Sequence, residues 1–372
     1  MKLAVILLSA FALVVFAAAS VDAIPAARIW VGRIGIGRMS ANEARQKIRA
    51  VALQWLRKTP PTPVSDQTRF TLPERLRGTY QSAHIQVWQQ AALLLGAEQS
   101  GAVREALAFQ RTVLTPEGCW KQPPKSVDTA LLAYALLRTA DDVQTVRPAM
   151  DAMYAFLQDG VSGGTIPYTA RSPQVRFVDT VGMVCPFLYL YGKTYGCPEA
   201  QTLCTAQLAE YAQKGLHPAL YLPVHAFRRS NGAPLGIYGW GRGCGWYALA
   251  LAEMTRCGAD VRVFAVPFAD AVLGLQQKNG AFSRQLLAEA GAESTATAML
   301  GHFLFVQSVS SGSEACREAA VRAFAAVTAV TRRDGTVDMA QGDTKGIGFY
   351  STRLAPMPAA QGFALLLAEE IQ

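Results

Sequence analysis

The regular alternation of short and long connections between predicted helices is the sequence feature that most constrains the fold. Apolar residues recur at three- to four-residue spacing in about twelve stretches, the period of helices with a buried face. The predicted helices are 41–58, 81–96, 102–113, 126–139, 145–158, 179–195, 199–214, 244–257, 262–276, 293–308, 313–331 and 357–370. Almost no stretch alternates as a β-strand would, so the chain is predicted to be all-α.

The connections between these helices predict how they are arranged. Brief turns at 96–101, 140–142, 196–198, 258–260 and 310–312 alternate with long connections at 59–80, 114–125, 159–178, 215–243, 278–292 and 332–356. Because short links join antiparallel neighbours, the pattern predicts six helical hairpins closed into an (α/α)6 barrel, with the long connections at one rim. An open helical solenoid would show the same alternation, but the lack of a strict repeat in residue identity disfavours a regular one. Since no linker is evident, residues 24–372 are predicted to form a single domain.

Residues 1–23 resemble an export signal. Lys2 supplies the positive charge, residues 3–19 form the apolar run, and Val21-Asp22-Ala23 offers a small-residue cleavage site. The alternative is an uncleaved membrane anchor, for which the apolar run is short. We therefore expect a secreted or periplasmic protein with no stable membrane association after cleavage of the signal.

The distribution of charge bears on the class of ligand. The net charge is +8, yet the basic residues are scattered without a block of like charges. A nucleic-acid groove would show clustered Lys and Arg with interleaved aromatic residues, so no nucleic-acid partner is expected. A mildly basic exported protein suits an acidic substrate.

The cysteines and histidines provide little evidence for a metal site. The chain has seven cysteines, so in an oxidising compartment at least one is free or pairs between chains. Cys197 and Cys204 are the closest pair in sequence. There is no C-x-x-C motif and the four histidines are dispersed, so we expect no structural metal.

One short stretch, Gly239–Trp246, combines alternating glycines with two tryptophans and one arginine. The glycines would let the backbone bend tightly and approach a ligand. Arg242 offers a planar fork of donors that matches a carboxylate, and Trp240 and Trp246 offer apolar faces for a sugar ring. The alternative is a glycine-rich turn with core tryptophans and a surface arginine. A dinucleotide loop is less favoured, because the order is not G-x-G-x-x-G and no predicted strand precedes it.

Two aspartates occupy equivalent places at the starts of helices that follow long connections. Asp179 is a lone carboxylate within an apolar run, and Asp128 has the same setting at an earlier helix. Burial would raise the pKa of such a carboxyl group and keep it protonated near neutrality, as a general acid requires. The alternative is an ordinary N-cap, where the helix dipole would lower the pKa. Two carboxylates facing one cavity would be typical of glycoside chemistry.

Two weaker candidates complete the predicted site. His225 lies in the longest connection, where it is either a structural hydrogen-bonding residue or a site residue. Thr295 belongs to 293–299, a polar entry to a helix of small residues, for which simple capping is the equal alternative. Many unusual residues, aromatic ones among them, fall on the side of the long connections. An aromatic rim around a concave centre is what a carbohydrate site needs.

At these residues the chain resembles a known family. The segment Trp240–Trp246 is similar to the W-x-R-G-N-G-W signature of the unsaturated rhamnogalacturonyl hydrolases, glycoside hydrolase family 105, which are related to the unsaturated glucuronyl hydrolases of family 88. Residues 177–188 resemble that family's segment around its catalytic aspartate. His225, 293–299 and 348–362 also match in type and order. The resemblance spans most of the chain from Asp128 and implies an (α/α)6 barrel.

The resemblance implies an enzyme that acts on lyase products whose terminal uronic acid carries a C4=C5 double bond. Asp179 would protonate C4 and then activate the water that adds at C5, and Asp128 would orient water or a sugar hydroxyl. The resulting hemiketal opens to release the next sugar. The chemistry needs no metal and no other cofactor. The substrate-binding residues implied are His225, Arg242, Trp240, Trp246 and Thr295.

Other functions stay open at this point. One is a polysaccharide lyase or sugar epimerase on the same barrel, and another is a non-catalytic exported oligosaccharide-binding protein. A lyase would use a Tyr or His base and would create the double bond that the predicted hydrolase removes. The chain departs from the family pattern at Cys244, where Asn is expected, and at Phe227-Arg228-Arg229, where a more acidic run is expected. These departures leave the sugar preference open, and Cys244 is hypothesised to be open to oxidation or thiol reagents.

Overall fold

The computed structural model describes residues 2–64, 72, 76–77, 81–288 and 290–371. Within these ranges one N-terminal helix precedes twelve others. The predicted connection 59–80 lies partly outside the described residues. The helices are α1 (Lys2–Gly32), α2 (Ala41–Arg57), α3 (Val87–Gln99), α4 (Val103–Val113), α5 (Thr129–Thr139), α6 (Val143–Asp159), α7 (Val178–Tyr195), α8 (Pro198–Gly215), α9 (Gly241–Arg256), α10 (Arg262–Leu273), α11 (Ser294–Ser311), α12 (Glu314–Ala329) and α13 (Pro358–Glu370).

The helices from α2 onward form two concentric rings. The odd-numbered helices α3 to α13 form the inner ring, in which each packs against the next and α13 packs against α3. The even-numbered helices α2 to α12 each pack on an inner helix. Outer helix α2 buries residues at three- to four-residue spacing, whereas inner helix α9 buries nearly all of its residues. The predicted (α/α)6 barrel is confirmed.

Small residues allow the first and last inner helices to approach each other. A Cβ atom on Gly362 of α13 would lie 2.3 Å from the backbone of Ala92 on α3. One on Gly96 of α3 would lie 2.5 Å from the carbonyl oxygen of Gly362. Because close-packed interiors have no spare room for these atoms, closure of the ring depends on glycine at both positions.

The connections divide the barrel into two different ends. Brief turns join each inner helix to the outer helix that follows it, and long connections join each outer helix to the next inner helix. The N-terminal ends of the inner helices and the long connections therefore share one end, which we call the open rim. The C-terminal ends of the inner helices lie at the opposite end, the closed rim.

Short strands add to the open rim, where the sequence predicted almost none. They are β1 (Thr62–Val64), β2 (Gln81–His84), β3 (Val175–Phe177), β4 (Val224–Arg228), β5 (Pro234–Tyr238), β6 (Ala340–Gln341) and β7 (Leu354–Ala355). Antiparallel pairing joins β1 with β2, β3 with β4, β4 with β5, and β6 with β7. The predicted helix start at 81 was wrong, because 81–84 pair with β1 and the helix begins at Val87.

Helix α1 stands apart from the core. Among the helices that the structure describes, it is the one long and apolar enough to cross a membrane, and none of its residues is buried. Signal sequences share this apolar composition. The segment that follows is docked on the barrel, since Arg33 pairs with buried Asp338 at an Nε–Oδ2 distance of 2.9 Å. Cleavage after residue 23 stays a prediction.

All seven cysteines are free, and Cys197 and Cys204, the closest pair in sequence, form no disulfide. Cys204 lies buried on α8, whereas Cys197 sits just before the start of that helix. The Cys204 thiol instead faces inner helix α7, where its Sγ lies 3.3 Å from the carbonyl oxygen of Cys185.

A buried charge cluster lies toward the closed rim. His302 on α11 is fully buried between two carboxylates, with Nε2 2.7 Å from Glu253 Oε1 and Nδ1 2.9 Å from Glu370 Oε2. Arg138 NH1 lies 2.6 Å from Glu253 Oε2, which also accepts a hydrogen bond from Tyr134. Burial alone would lower the pKa of His302, but the two carboxylates raise it to about 9. The cluster therefore holds a protonated histidine at neutral pH.

Candidate active site

The N-terminal ends of the inner helices converge on two adjoining cavities at the open rim. The smaller, which we call the Asp179 cavity, has a volume of about 210 Å³, and the larger, the Asp128 cavity, about 420 Å³. The larger falls in the range of roughly 300–1,000 Å³ typical of small-molecule pockets. Both cavities are lined by Trp88, Tyr168, Asp343, Thr344 and Lys345. The Asp179 cavity is also lined by Phe177, Asp179, Met183, His225, Trp240, Arg242, Trp246 and Gly346.

The two aspartates line the cavities, one in each. Asp128 immediately precedes α5 but its side chain makes no capping hydrogen bond, and Asp179 lies within the first turn of α7. Each has one buried carboxylate oxygen, Oδ1 of Asp128 and Oδ2 of Asp179, without a hydrogen-bond partner in the described ranges. Unsatisfied oxygens of this kind are rare and costly. The residues that line the cavities thus include two carboxylates with unused hydrogen-bonding capacity.

Burial and nearby carboxylates raise the pKa of both carboxyl groups. Burial raises the pKa of Asp179 to about 7, with Asp128 and Asp343 adding to the rise against the opposing charge of Arg242. Burial likewise raises the pKa of Asp128 to about 6, opposed by a hydrogen bond with Tyr168 and reinforced by Asp343. Near neutrality, Asp179 is thus partly protonated while Asp128 is mostly ionised.

His225 enters the Asp179 cavity from strand β4. Its Nε2 atom lies 3.6 Å from Asp179 Oδ2, and its Nδ1 atom lies 3.0 Å from the Tyr350 hydroxyl. The ring centre is 4.6 Å from that of Trp240. Burial, with a smaller effect from Arg242, lowers the pKa of His225 to about 4. His225 is therefore a neutral hydrogen-bonding group beside Asp179 at neutral pH, not a cation.

Arg242 is buried and fastens one segment of the open rim. Its NH1 donates to the Gln341 carbonyl oxygen at 2.6 Å, and its NH2 donates to the Gly342 carbonyl oxygen at 3.1 Å and to Thr344 Oγ1 at 3.0 Å. Trp240 lies beside it, with the guanidinium carbon 5.2 Å from the ring centre, and donates its indole N–H to Gln341 Oε1 at 2.9 Å. The alternative of a surface arginine is wrong, because only 2% of Arg242 is exposed.

The glycines of this motif make room for protein neighbours rather than for a ligand. A Cβ atom on Gly241 would lie 2.3 Å from the carbonyl oxygen of Ser283, and one on Gly243 would lie 2.6 Å from the Trp240 ring. Helix α9 begins at Gly241, so most of the motif is helical rather than a loop. The glycines therefore allow a tightly packed inner helix to present Arg242 at the cavity.

The structure places most of the predicted site residues around the two cavities, but not Thr295. Thr295 lies fully buried in the first turn of α11 and lines neither cavity. Its backbone N–H is capped by Glu293 Oε1 at 3.0 Å, which also accepts from the Gln341 backbone at 2.9 Å. The capping alternative therefore describes the start of this helix, and contact of Thr295 with a substrate has no support in the cavity geometry.

Sequence reasoning missed several residues that line both cavities, among them Trp88 and Asp343. Trp88 is in the first turn of α3, with its ring centre 5.5 Å from that of Trp246. Asp343 lies in the last long connection, where its Oδ2 accepts a hydrogen bond from Gln86 Nε2 at 2.6 Å. The only sequence signal for Asp343 was its place among polar residues in a long connection. Within the described residues, no group of three or more His, Cys, Asp or Glu is placed to hold a metal ion.

We expect thiol reagents to leave Cys244 unmodified and turnover unchanged. Cys244 is fully buried, and burial raises the pKa of its thiol well above the usual range, so the reactive thiolate does not form. Iodoacetamide should instead label exposed Cys119. Peptide mass spectrometry after labelling of the folded protein tests this, with Cys119→Ser as the control that removes the fast label. Modification of Cys244 accompanied by loss of turnover would reinstate the hypothesis of a reactive thiol.

A closed ring of helical hairpins with carboxylates and indoles gathered in cavities at one rim defines the class of protein, an (α/α)6-barrel glycoside hydrolase. Residues 124–371 match the model of Glycosyl Hydrolase Family 88, which is more than half of the chain. The chain belongs to this family. No curated protein sequence matches the chain.

Solved structures with this fold support the assignment of the architecture. A possible member of glycoside hydrolase family 105 from Salmonella enterica superposes with a TM-score of 0.73 at 17% identity, covering 89% of this chain and 94% of that chain. The unsaturated glucuronyl hydrolase of Bacillus sp. GL1 superposes at 0.61 with 16% identity, covering 88% and 96%. A protein described as a polysaccharide lyase superposes at 0.61 with 16% identity, covering 89% and 97%. At these identities the similarity concerns the fold.

Proposed function

We propose that the protein hydrolyses oligosaccharides that end in a 4,5-unsaturated uronic acid, and that those derived from rhamnogalacturonan are its main substrates. The observation that carries the proposal is the pair of aspartates in adjoining cavities, each with one buried carboxylate oxygen that lacks a hydrogen-bond partner. The Asp179 cavity has indole and phenyl rings against which one sugar ring can stack, and Arg242 at its wall. Family membership and the fold of an unsaturated glucuronyl hydrolase support the same substrate class.

In this proposal Asp179 acts as both acid and base. Its proton adds to C4 of the double bond, and positive charge develops at C5. Asp179 then takes a proton from the water whose oxygen bonds to C5, which returns the carboxyl group to its starting state. The product is a hemiketal, which opens to release the next sugar and leave a keto-uronate. No metal ion or other cofactor takes part in these steps.

The surrounding residues position the substrate and the water in this proposal. Asp128, ionised near neutrality, accepts a hydrogen bond from the water or from a sugar hydroxyl. His225 is neutral and hydrogen-bonds to a substrate oxygen, while the charge of Arg242 attracts the uronate carboxylate. Trp246 and Trp240 provide the apolar faces of the sugar subsite. All of these residues except Asp128 line the smaller cavity.

Incubation with lyase-digested pectin tests the proposed function. Unsaturated uronates absorb in the ultraviolet through the conjugated double bond, so hydrolysis should make that absorbance decay and release a free sugar. The fold of the polysaccharide lyase suggests the second candidate activity, elimination, for which uncut polysaccharide is the matched substrate. A lyase would make the absorbance grow on uncut polysaccharide. An unchanged absorbance with both substrates would leave oligosaccharide binding as the remaining function.

We expect kcat/KM to have an optimum between about pH 6 and 7. The acid Asp179 must be protonated and has a pKa of about 7, so activity should fall as the pH rises above that value. Asp128 must be ionised and has a pKa of about 6, so activity should also fall below it. Rates of absorbance decay measured across mildly acidic to alkaline buffers give the profile. Activity that keeps rising above pH 7 would contradict an acid role for Asp179.

We also propose that the protein is exported. Helix α1 is exposed and apolar, and the described chain beyond it packs as one barrel without requiring it. N-terminal sequencing of the protein recovered from the periplasm or medium would test cleavage after residue 23. Recovery of the intact N-terminus in the membrane fraction would favour the anchor instead.

A further inference from the structure

One short segment borders both cavities, and its backbone and side chains are fixed. We call residues 341–346 the strap, because 343–345 line the Asp128 cavity and the Asp179 cavity alike. Arg242 donates three hydrogen bonds to the strap. Asp343 accepts hydrogen bonds from Gln86 Nε2 at 2.6 Å on Oδ2 and from the Thr344 backbone at 3.0 Å on Oδ1. The Asp343 carboxylate therefore has a defined place between the two cavities.

The support of Asp343 continues into the barrel. Gln86 Oε1 accepts a short hydrogen bond from Gln89 Nε2, and Gln89 Oε1 accepts from the Thr62 hydroxyl at 3.1 Å. Gln89 and Thr62 are both buried. A carboxylate anchored by such a chain cannot rotate away from a repelling group as an exposed side chain could.

Charge is distributed unequally between the two cavities. The charged side chains that line the Asp128 cavity are the carboxylates of Asp128 and Asp343 and the ammonium of Lys345. Asp343 and Lys345 line the Asp179 cavity as well, but there Arg242 adds a second cation and Asp179 is partly protonated. An anionic sugar is therefore better accommodated in the Asp179 cavity than in the Asp128 cavity.

We propose that Asp343 is a specificity-determining residue that selects a neutral sugar next to the unsaturated uronate and disfavours a sugar carrying a second carboxylate or a sulfate. This inference rests on the proposed function, with the uronate in the Asp179 cavity and the next sugar in the Asp128 cavity. Gln86 and the Thr344 backbone use two of the roughly four lone-pair positions of the carboxylate. The others can accept hydrogen bonds from the hydroxyls of a neutral sugar, whereas an anion meets a fixed like charge.

Two unsaturated disaccharides and a methyl ester of the second provide the test. The first comes from rhamnogalacturonan lyase digestion and has neutral rhamnose next to the uronate. The second is unsaturated digalacturonate, with a free carboxylate on the second sugar, and its methyl ester at that carboxyl group is the matched neutral form. We expect kcat/KM to be at least about 10-fold lower for the acid than for the ester or the rhamnose compound, given the strength of charge repulsion in partly buried sites. Raising the salt concentration should narrow this difference, because screening weakens repulsion.

The variant Asp343→Asn tests whether this residue causes the discrimination between the ester and the acid. It keeps the shape of the side chain and removes the charge, so the ester-to-acid ratio of kcat/KM should fall by about 10-fold. Because any change in the pKa of Asp128 or Asp179 affects both substrates, the ratio isolates the effect on the second sugar. Asp270→Asn, an exposed site on α10, is the matched control and should leave the ratio unchanged.

The possible results distinguish a failure of the inference from a failure of the proposed function. If no disaccharide loses its ultraviolet absorbance, the proposed function is wrong and the inference falls with it. If the disaccharides react but the acid reacts as fast as its ester, the inference alone is overturned. A preference for the ester that Asp343→Asn leaves unchanged would have a steric cause or come from Asp128, and would also overturn it. Should the variant not fold, a wild-type ratio that salt leaves unchanged would still overturn the inference.

Discussion

Replacement of Asp179 by asparagine is expected to lower the turnover of an unsaturated uronyl disaccharide by about 10²-fold or more. The amide has the size of the carboxyl group but cannot give up a proton to C4 or take one from water. Substrate binding should persist, because Arg242, His225 and Trp246 keep their places around the cavity. The decay of the enoate absorbance measures turnover, and quenching of tryptophan fluorescence by the substrate measures binding.

Matched variants show whether the loss of turnover is specific to Asp179. Asp270→Asn removes an exposed carboxylate on α10 and should leave turnover unchanged. Asp128→Asn should also slow turnover, and its alkaline loss of activity should persist but begin at a lower pH, because that limb belongs to Asp179 and the lost Asp128 charge no longer raises the Asp179 pKa. Turnover by Asp179→Asn at the wild-type rate would exclude this residue as the acid. In that case His225 or Tyr168 would become the group to test, as a lyase requires.

The ring architecture could be predicted from the sequence because it depends on local sequence patterns. The three- to four-residue apolar period marks each helix, and the length of each connection indicates whether neighbours are antiparallel. The N-terminal positions of Asp128 and Asp179 follow from the same pattern, since both begin inner helices after long connections. Even the boundaries were close, except where residues 81–84 pair with a strand.

The parts of the site that the sequence did not reveal depend on contacts between distant segments. Asp343 reaches the cavities because Arg242 holds the strap and because Gln86, far away in sequence, donates a hydrogen bond to its carboxylate. His225 is placed by a three-stranded sheet that joins 175–177 to 224–228 and 234–238. No periodic pattern in the local sequence predicts either contact. The same is true of Thr295, whose surroundings are set by packing of α11 and not by its sequence motif.

The glycine motif illustrates how a correct site can be predicted for an incomplete reason. The alternating glycines drew attention to Arg242 and the tryptophans, and these residues do line the Asp179 cavity. The glycines themselves face Ser283, Trp240 and Met299 and so serve packing. Because an inner helix is surrounded by others, the positions that let neighbours approach are as constrained as those that contact a ligand. The sequence pattern alone does not distinguish these two reasons for glycine.

Replacement of His302 by alanine is expected to lower the free energy of unfolding by about 3–5 kcal/mol. The imidazolium lies between Glu253 and Glu370, and its removal leaves two carboxylates in a fully buried setting. Arg138 still pairs with Glu253, and Arg256 with Glu370 at 2.8 Å, but each carboxylate loses one charged partner and a cavity forms. Urea denaturation of the variant and the wild type at pH 6 measures the difference. His217→Ala, in a partly exposed turn, should change stability by less than about 1 kcal/mol.

The pH dependence of stability gives the same cluster a second, independent readout. The pKa of His302 is about 9 in the folded protein against 6.5 as its ordinary value, so the folded state binds more protons between those values. The stabilisation is complete below pH 6.5 and is lost as the pH rises through about 9. In His302→Ala this loss should be absent, so the difference in stability between variant and wild type should shrink at high pH to the cost of the cavity. A variant as stable as the wild type at pH 6, or a constant difference up to pH 10, would mean that His302 is neutral in the core. The cluster lies toward the closed rim, away from the cavities, so any folded fraction of the variant should hydrolyse substrate at the wild-type rate. This result would show that His302 contributes to the stability of the barrel and not to catalysis.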